Sequence, residues 1–412
     1  MNALFSRRSP RDGRAQWNPI ATIVPNAESK ELPERPPVRA SLETPLVVLI
    51  SPYVAPSMAK DSKLMIDASV SRRTLVRTLP SLLALGGLSP ATQALAQDSN
   101  PRTDTSAVAL GMMVEVVEDR TRLDTTIQQI GRPVEVVMFH THWGTNSGLF
   151  DPSLLQYVDE RGGIPLITWE AWIPIYAGGI GVADQPTFSL ANLVSGAFDS
   201  YIDNWAFGLA TWGKPVLLRF GHEMNGDWYP WAAGANGNTA QQFIDAWIYL
   251  HDRFTAAGAE NVHWVWSPIA SAEAAVRSDP VALQAVFPGD AYVDFVGASG
   301  FNWGDTPQPW GVEGWETFSD IFQDTYTELQ ALSSHPIIIT ETASAELGGD
   351  KAAWITSAFL TEIPERFPAI EAVVWFNVLK ETDWRIDSSV ESLRAFVTAA
   401  NSPAMQGELV FG

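Results

Sequence analysis

From Val108 onward the chain repeats one pattern: a short β-branched apolar run, then a polar or amphipathic stretch with helical spacing. The runs are 108–114, 134–139, 164–169, 215–220, 262–266, 293–298, 336–340 and 372–376. Runs so short and so continuously apolar suit parallel strands buried on both faces. Between them, 239–256, 315–332 and 350–360 read as helices. Strands alternating with helices predict a parallel sheet, and eight such units are the number that closes a (β/α)8 TIM barrel. An open doubly wound sheet is the alternative, but no glycine-rich phosphate loop is present to support it. Residues 173–191 are rich in Gly and Pro and predict a long loop after the third strand, a kind of segment that is usually functional.

The polar positions add chemistry to this frame. The stretch KPVLLRFGHEMNGDWYPW, 214–231, begins as a buried strand and then changes character within two residues. Arg219, His222, Glu223, Asn225, Trp228 and Trp231 follow, a density of polar and aromatic groups that an interior does not tolerate unpaired. The plain alternative is an ion pair between Glu223 and Arg219, four positions apart. Other strand ends repeat the theme: His140, His142 and Trp143 after the second, Trp169 and Glu170 after the third, and Trp264 and Trp266 in the fifth. Phe301, Asn302 and Trp303 follow the sixth, Glu341 ends the seventh, and Trp375, Phe376 and Asn377 end the eighth. In a TIM barrel these C-terminal strand ends form the site.

RFGHEMNGDWYPW resembles the acid/base signature of glycoside hydrolase family 26, a family of β-mannanases with some β-1,3-1,4-glucanases. HPIIITETAS, FPGDAYVDFVG, GDKAAWI and VVWFNVLKETDWRI are similar to its later barrel segments, so the likeness covers roughly 108–400. The resemblance implies that Glu223 is the general acid/base and Glu341 the nucleophile of a retaining reaction, with carboxyl groups about 5–5.5 Å apart. It implies that Trp375 floors the sugar next to the cleavage point, and that His222 and Trp228 flank the acid/base. The residues expected to contact substrate are therefore His222, Trp228, Trp375, Arg219, Phe301, Asn302, His140 and Trp169. One departure stands out. Many members carry a tyrosine whose hydroxyl hydrogen-bonds the nucleophile, and this chain has Phe301 there. Losing that bond forfeits about 1.5–3 kcal/mol, unless Asn302 or a histidine replaces the donor.

The reading fits elementary chemistry. Glycoside hydrolysis needs one protonated carboxyl to assist the leaving oxygen and one ionised carboxylate across the bond. Their surroundings must push the two pKa values apart. Glu223 among indoles is placed to be raised, and Arg219 at the cleft base to keep Glu341 ionised. The expected function is an endo-acting β-glycanase on mannan, with mixed-linkage β-glucan second. From a different class comes a sugar-binding barrel that has lost turnover through Phe301. His140 and His142 form a His-x-His pair, but no further ligands accompany it, so neither metal nor cofactor is expected.

Charge narrows the partners. Residues 1–96 hold 12 Lys+Arg and 7 Asp+Glu, leaving 14 (26 minus 12) against 40 (47 minus 7) in the rest. So acidic a body argues against nucleic-acid and anionic-membrane partners, which need clustered cations, and suits a neutral polysaccharide substrate; a monomer is expected. With Cys 0 there is no disulfide framework. Residues 1–64 are Pro-, Arg- and Ser-rich and read as disordered. Residues 65–96 resemble a twin-arginine export signal: Arg72 and Arg73, an apolar stretch, and small residues at 94 and 96. The expectation is translation from Met65 or Met58, export to the periplasm or beyond, and a catalytic domain over 97–412. N-terminal sequencing of the native protein should find Gln97 or a near neighbour first, and a precursor peptide from 1–57 would overturn the late start.

Overall fold

The computed structural model describes residues 107–177, 180–274, 281–308 and 314–411. The expectations for 1–64 and 65–96 lie outside these residues. Eight strands form the barrel: β1 (Ala109–Met113), β2 (Val136–His142), β3 (Ile164–Glu170), β4 (Val216–Phe220), β5 (Val262–Trp266), β6 (Phe295–Asn302), β7 (Ile337–Ser344) and β8 (Ile370–Phe376). Each pairs in parallel with its sequence neighbour, and β1 pairs with β8 to close the ring. The expected (β/α)8 TIM barrel is thus the observed fold.

Two strands run beyond the apolar pattern that announces them. β6 continues to Asn302 and β7 to Ser344, through residues that read as loop because they are polar or small. They hold strand geometry by pairing with each other, Ser299 with Glu341 and onward to Asn302 with Ser344. Against both neighbours β7 carries one extra residue around Thr340: Ala298 and Ser299 oppose Ile339 and Glu341, while Val373 and Trp375 oppose Ile339 and Thr342. Such a bulge re-aims the side chains beside it, and here it lets Thr340 and Glu341 both reach the barrel interior.

Helices cover the outside. The principal ones are α1 (Thr121–Ile130), α2 (Pro152–Asp159), α3 (Asp199–Trp212), α4 (Ala240–Ala256), α5 (Phe318–Leu332), α6 (Lys351–Ser357) and α7 (Val390–Ala400). Thr239 and Thr317 cap α4 and α5, each with a reciprocal side-chain bond from the third helical residue. Phe243, Ala246, Trp247, Leu250 and Phe254 then give α4 one buried stripe. The loop after β3 is a built element. Tyr176–Ala177 pairs antiparallel with Ile180–Gly181, and the Gln185 amide accepts from Ile173 N at 3.0 Å and donates to Ile173 O and Val182 O at 2.9 Å.

Large aromatics fill the space between barrel and helices, and two residues expected in the cleft are among them. Trp169 is fully buried against Trp143, Trp205 and Phe254, with its indole N–H 3.2 Å from the Tyr201 hydroxyl. Trp375 is equally buried among Trp354, Phe359 and Phe396, and donates to Trp384 O at 2.9 Å. Neither presents a face to a sugar, so both expectations are corrected: side chains alternate along a strand, and these two fall on the helix-facing side. Replacing Trp375 with Ala should cost about 3–5 kcal/mol of stability, the range for emptying a large aromatic site, read as a lowered urea midpoint. An unchanged midpoint with weakened polysaccharide binding would return Trp375 to the cleft.

Candidate active site

The site grows upward from Arg219, which β4 places wholly buried inside the barrel. Its Nε donates to Thr168 Oγ1 on β3 at 3.0 Å. One terminal nitrogen donates to Ser299 Oγ on β6 at 3.3 Å and Thr340 Oγ1 on β7 at 3.0 Å, and the other donates to Glu341 Oε1. The ion pair of Arg219 is therefore with Glu341, not with Glu223 four positions along the chain. Burial alone would raise the Glu341 carboxyl, but the Arg219 charge outweighs it, helped by His140, whose Nε2 stands 3.4 Å from Glu341 Oε1. The carboxyl is held well below its ordinary range and is ionised.

Glu223 sits in the turn after β4, with φ 54. A non-glycine residue in the left-handed region costs roughly 1–3 kcal/mol and persists only where its surroundings hold it. They do so here. Glu223 N donates to Ser267 O at 2.8 Å, and the Asn225 amide exchanges bonds of 2.9 and 3.0 Å with the Ile269 backbone. The Trp231 indole donates to His222 O at 2.7 Å. Burial and the charge of Glu341 push the Glu223 carboxyl up to about 7, against the opposing effects of a 2.9 Å bond from Trp228 Nε1 and the more distant Arg219. Two carboxyl groups thus share one cleft with opposite protonation preferences.

A second cluster adjoins them. Glu170, at the end of β3, accepts from His142 Nε2 at 2.7 Å and Trp172 Nε1 at 3.1 Å on one oxygen. Its other oxygen faces His222 Nε2 at 3.7 Å. Burial raises the Glu170 carboxyl, but the His142 bond and the neighbouring imidazoles prevail and hold it at about 2. His222 is buried against Tyr229 and Trp231, and burial with the Arg219 charge brings its imidazole down to about 3. His140, His142, Glu170, Tyr229, Glu341 and Phe376 line the cleft, and the half-exposed Tyr176 borders it with Lys380 Nζ 5.7 Å from its ring.

Of the residues singled out in the sequence, Glu223, Glu341, Arg219, His140, His222 and Trp228 converge on this cleft. Phe301 packs beside it, 5.5 Å from Phe376 and 5.2 Å from Trp384 between ring centres. Asn302 does not face Glu341. It is buried, donates to Ser344 Oγ at 3.0 Å and accepts from Gly304 N and Glu316 N, so it shapes the loop after β6. The donors that reach Glu341 instead are Arg219 and the histidine His140. The hydroxyls of Thr168, Ser299 and Thr340 that satisfy Arg219 were not foreseen. Nor was Glu273, buried near Glu223, which accepts from Phe301 N at 2.7 Å and Trp303 Nε1 at 3.1 Å. Glu170 was visible as the polar residue beside Trp169, and strand alternation singles it out.

The chain is similar to several known proteins. Residues 182–331 match the sequence profile of Glycosyl hydrolase family 26. Endoglucanase H of Acetivibrio thermocellus is 36% identical over 297 residues, 71% of this chain and 30% of that protein. A mannan endo-1,4-beta-mannosidase of Bacillus subtilis (strain 168) is 26% identical over 162 residues, 38% of this chain and 37% of its own length. The chain thus spans about a third of the length of these relatives. The solved GH26 beta-mannanase from Bacteroides ovatus, BoMan26A, superposes with a TM-score of 0.54 at 20% identity over 73% of this chain and 90% of that one, which shows the shared fold.

The Trp228 bond to Glu223 stabilises the ionised form. Trp228→Phe should therefore raise the Glu223 pKa above about 7, and Glu341→Gln, which removes a like charge, should lower it. Carboxyl titration by difference infrared spectroscopy reads both signs, and a shift of either in the opposite direction would show that other groups set the Glu223 pKa.

Proposed function

This chain belongs to glycosyl hydrolase family 26, and on that premise we propose that it is a retaining endo-β-glycanase acting on mannan-type polysaccharide. The observation that carries the reading is the opposed protonation of the two buried carboxyls: Glu223 raised to about 7 and Glu341 kept ionised by Arg219. Ionised Glu341 attacks the anomeric carbon while protonated Glu223 gives its proton to the departing glycosidic oxygen. A glycosyl ester on Glu341 results. Glu223, now a carboxylate, takes a proton from water as that water attacks the same carbon, and the sugar leaves with its original configuration. Arg219 stays bonded beneath Glu341 and stabilises the carboxylate that is regenerated. Glu170 with His142, and the face of Tyr176, supply polar and stacking contacts for sugar rings along the cleft.

Phe301 does not remove the chemistry on this reading, because Arg219 and His140 already serve Glu341. A β-glucan substrate is the second reading. It is favoured by the higher identity to the protein named Endoglucanase H, 36%, than to the protein named mannan endo-1,4-beta-mannosidase, 26%. The twin-arginine-like stretch supports action outside the cytoplasm, where polysaccharide is met.

Hydrolysis of glucomannan, galactomannan and barley β-glucan, beside Glu341→Ala and Glu223→Ala, tests the proposal. One polymer should be cleaved, with no turnover in Glu341→Ala and a loss of about 10²–10⁴-fold in Glu223→Ala. Proton NMR of the first products should show the β-anomer. Initial α-anomer would refute retention, and oligosaccharide binding without cleavage would favour a binding barrel.

A further inference from the structure

We propose that His140, His222 and Glu170 form a binding site for a zinc-class divalent cation, and that an ion held there blocks the sugar cleft rather than serving the reaction. The three residues come from β2, the turn after β4, and β3, and one ligand atom from each lies within 4.8 Å of the others. Two imidazoles and one carboxylate with room for a fourth ligand are a donor set that zinc uses. Calcium and magnesium require mostly oxygen. His140 and His142, next-but-one in sequence, do not act as a pair: His142 bonds the far oxygen of Glu170, and His140 turns toward His222 instead.

The local geometry favours a cation over a direct bond. Glu170 Oε1 and His222 Nε2 stand 3.7 Å apart, too far for a hydrogen bond. Two donors bound at 2.0–2.1 Å to one tetrahedral zinc are roughly 3.3 Å apart, so a shift of a few tenths of an ångström joins them. His142 and Trp172 fix Glu170 through Oε2, the kind of outer contact that orients a metal ligand, and leave Oε1 facing the cluster.

Occupancy would disable the reaction. His140 Nε2, 3.4 Å from Glu341 Oε1, would turn its lone pair to the ion and give up its bond to the carboxylate. The ion would also take up cleft space beside Glu341, so ion and sugar ring would exclude each other. This kinetic consequence rests on the proposed function, whereas binding of the ion does not.

The test is calorimetric titration of the full chain with zinc chloride at pH 7, joined by the absorption spectrum of the cobalt(II) form. The wild type should take up one equivalent with a tetrahedral, nitrogen-ligated cobalt spectrum. Glu170→Gln and His140→Gln should each weaken zinc at least tenfold. Glu341→Ala should still bind zinc with the tetrahedral spectrum, because it retains all three donors. Zinc should raise KM for polysaccharide with little change in kcat, reversed by EDTA. An octahedral, all-oxygen cobalt spectrum, unchanged affinity in both donor variants, or a fall in kcat alone would overturn the assignment. If zinc binds as described and no polysaccharide is cleaved, the cation site stands and the glycosidase reading fails.

Discussion

Burying a guanidinium without partners is among the least favourable things a fold can do, and everything in this cleft follows from how the barrel accommodates Arg219. A charge at this depth is tolerated only when paired and fully hydrogen-bonded. Thr168, Ser299, Thr340 and Glu341 meet that demand from β3, β6 and β7. Thr340 in turn lies 2.6 Å from the Ser267 hydroxyl after β5, so one cation ties together five consecutive strands at the level of the chemistry. The planar fork of Arg reaches these acceptors at once in a way that Lys, a single point charge, cannot. A buried ion pair adds little net stability as a rule. What it supplies here is a fixed sign of potential beneath one carboxylate.

That potential is what separates two otherwise similar glutamates. Both are buried, and burial alone would raise both. Glu341 touches the guanidinium and is driven down. Glu223 sits farther away in a left-handed turn, bonded to one indole and facing the charge of its partner, and is driven up. The opposed protonation of the two carboxyls is therefore set by distance from Arg219 rather than by any difference in the side chains themselves. The bulge at Thr340 contributes to the same end. Without the extra residue, Thr340 and Glu341 would point to opposite faces of the sheet, and only one could meet Arg219.

The barrel was legible in the sequence because each strand is a short apolar run that no helix could use, and all eight runs became strands. The two carboxyls were legible as charges just after such runs, and Arg219 as a charge inside one. The residues expected as sugar platforms were misread, and the failures share one cause. Arg219 bonds Thr168, so Thr168 and Glu170 point inward and Trp169 outward. Ser299 bonds Arg219, so Phe301 points inward, while Gly300 and Asn302 face away. A Cβ on Gly300 would lie 2.6 Å from Ile321 of α5, which confirms the outward side. On β8 it is Phe376 that lines the cleft and Trp375 that meets the helices. Aromatic residues at strand ends drew attention by type, whereas period two decides which of two neighbours faces the site. The hydroxyl set around Arg219 carried no signal, since Ser and Thr are common at any strand end.

The remaining step concerns the proton on one imidazole. A neutral histidine ring carries its single N–H on one nitrogen and a lone pair on the other. For His140 to stabilise Glu341, Nε2 must carry the hydrogen, since that atom faces the carboxylate. For the same nitrogen to hold a cation, it must present its lone pair. A cation held at Nε2 would exclude that bond, so support of Glu341 and capture of a cation at this atom compete through the tautomer of His140. His222 is under no such constraint, because its ring faces Glu170 rather than Glu341. Phe301 sharpens the competition: without a hydroxyl of its own to offer, it leaves His140 and Arg219 as the donors to Glu341, and only Arg219 is buried beyond the reach of an entering ion.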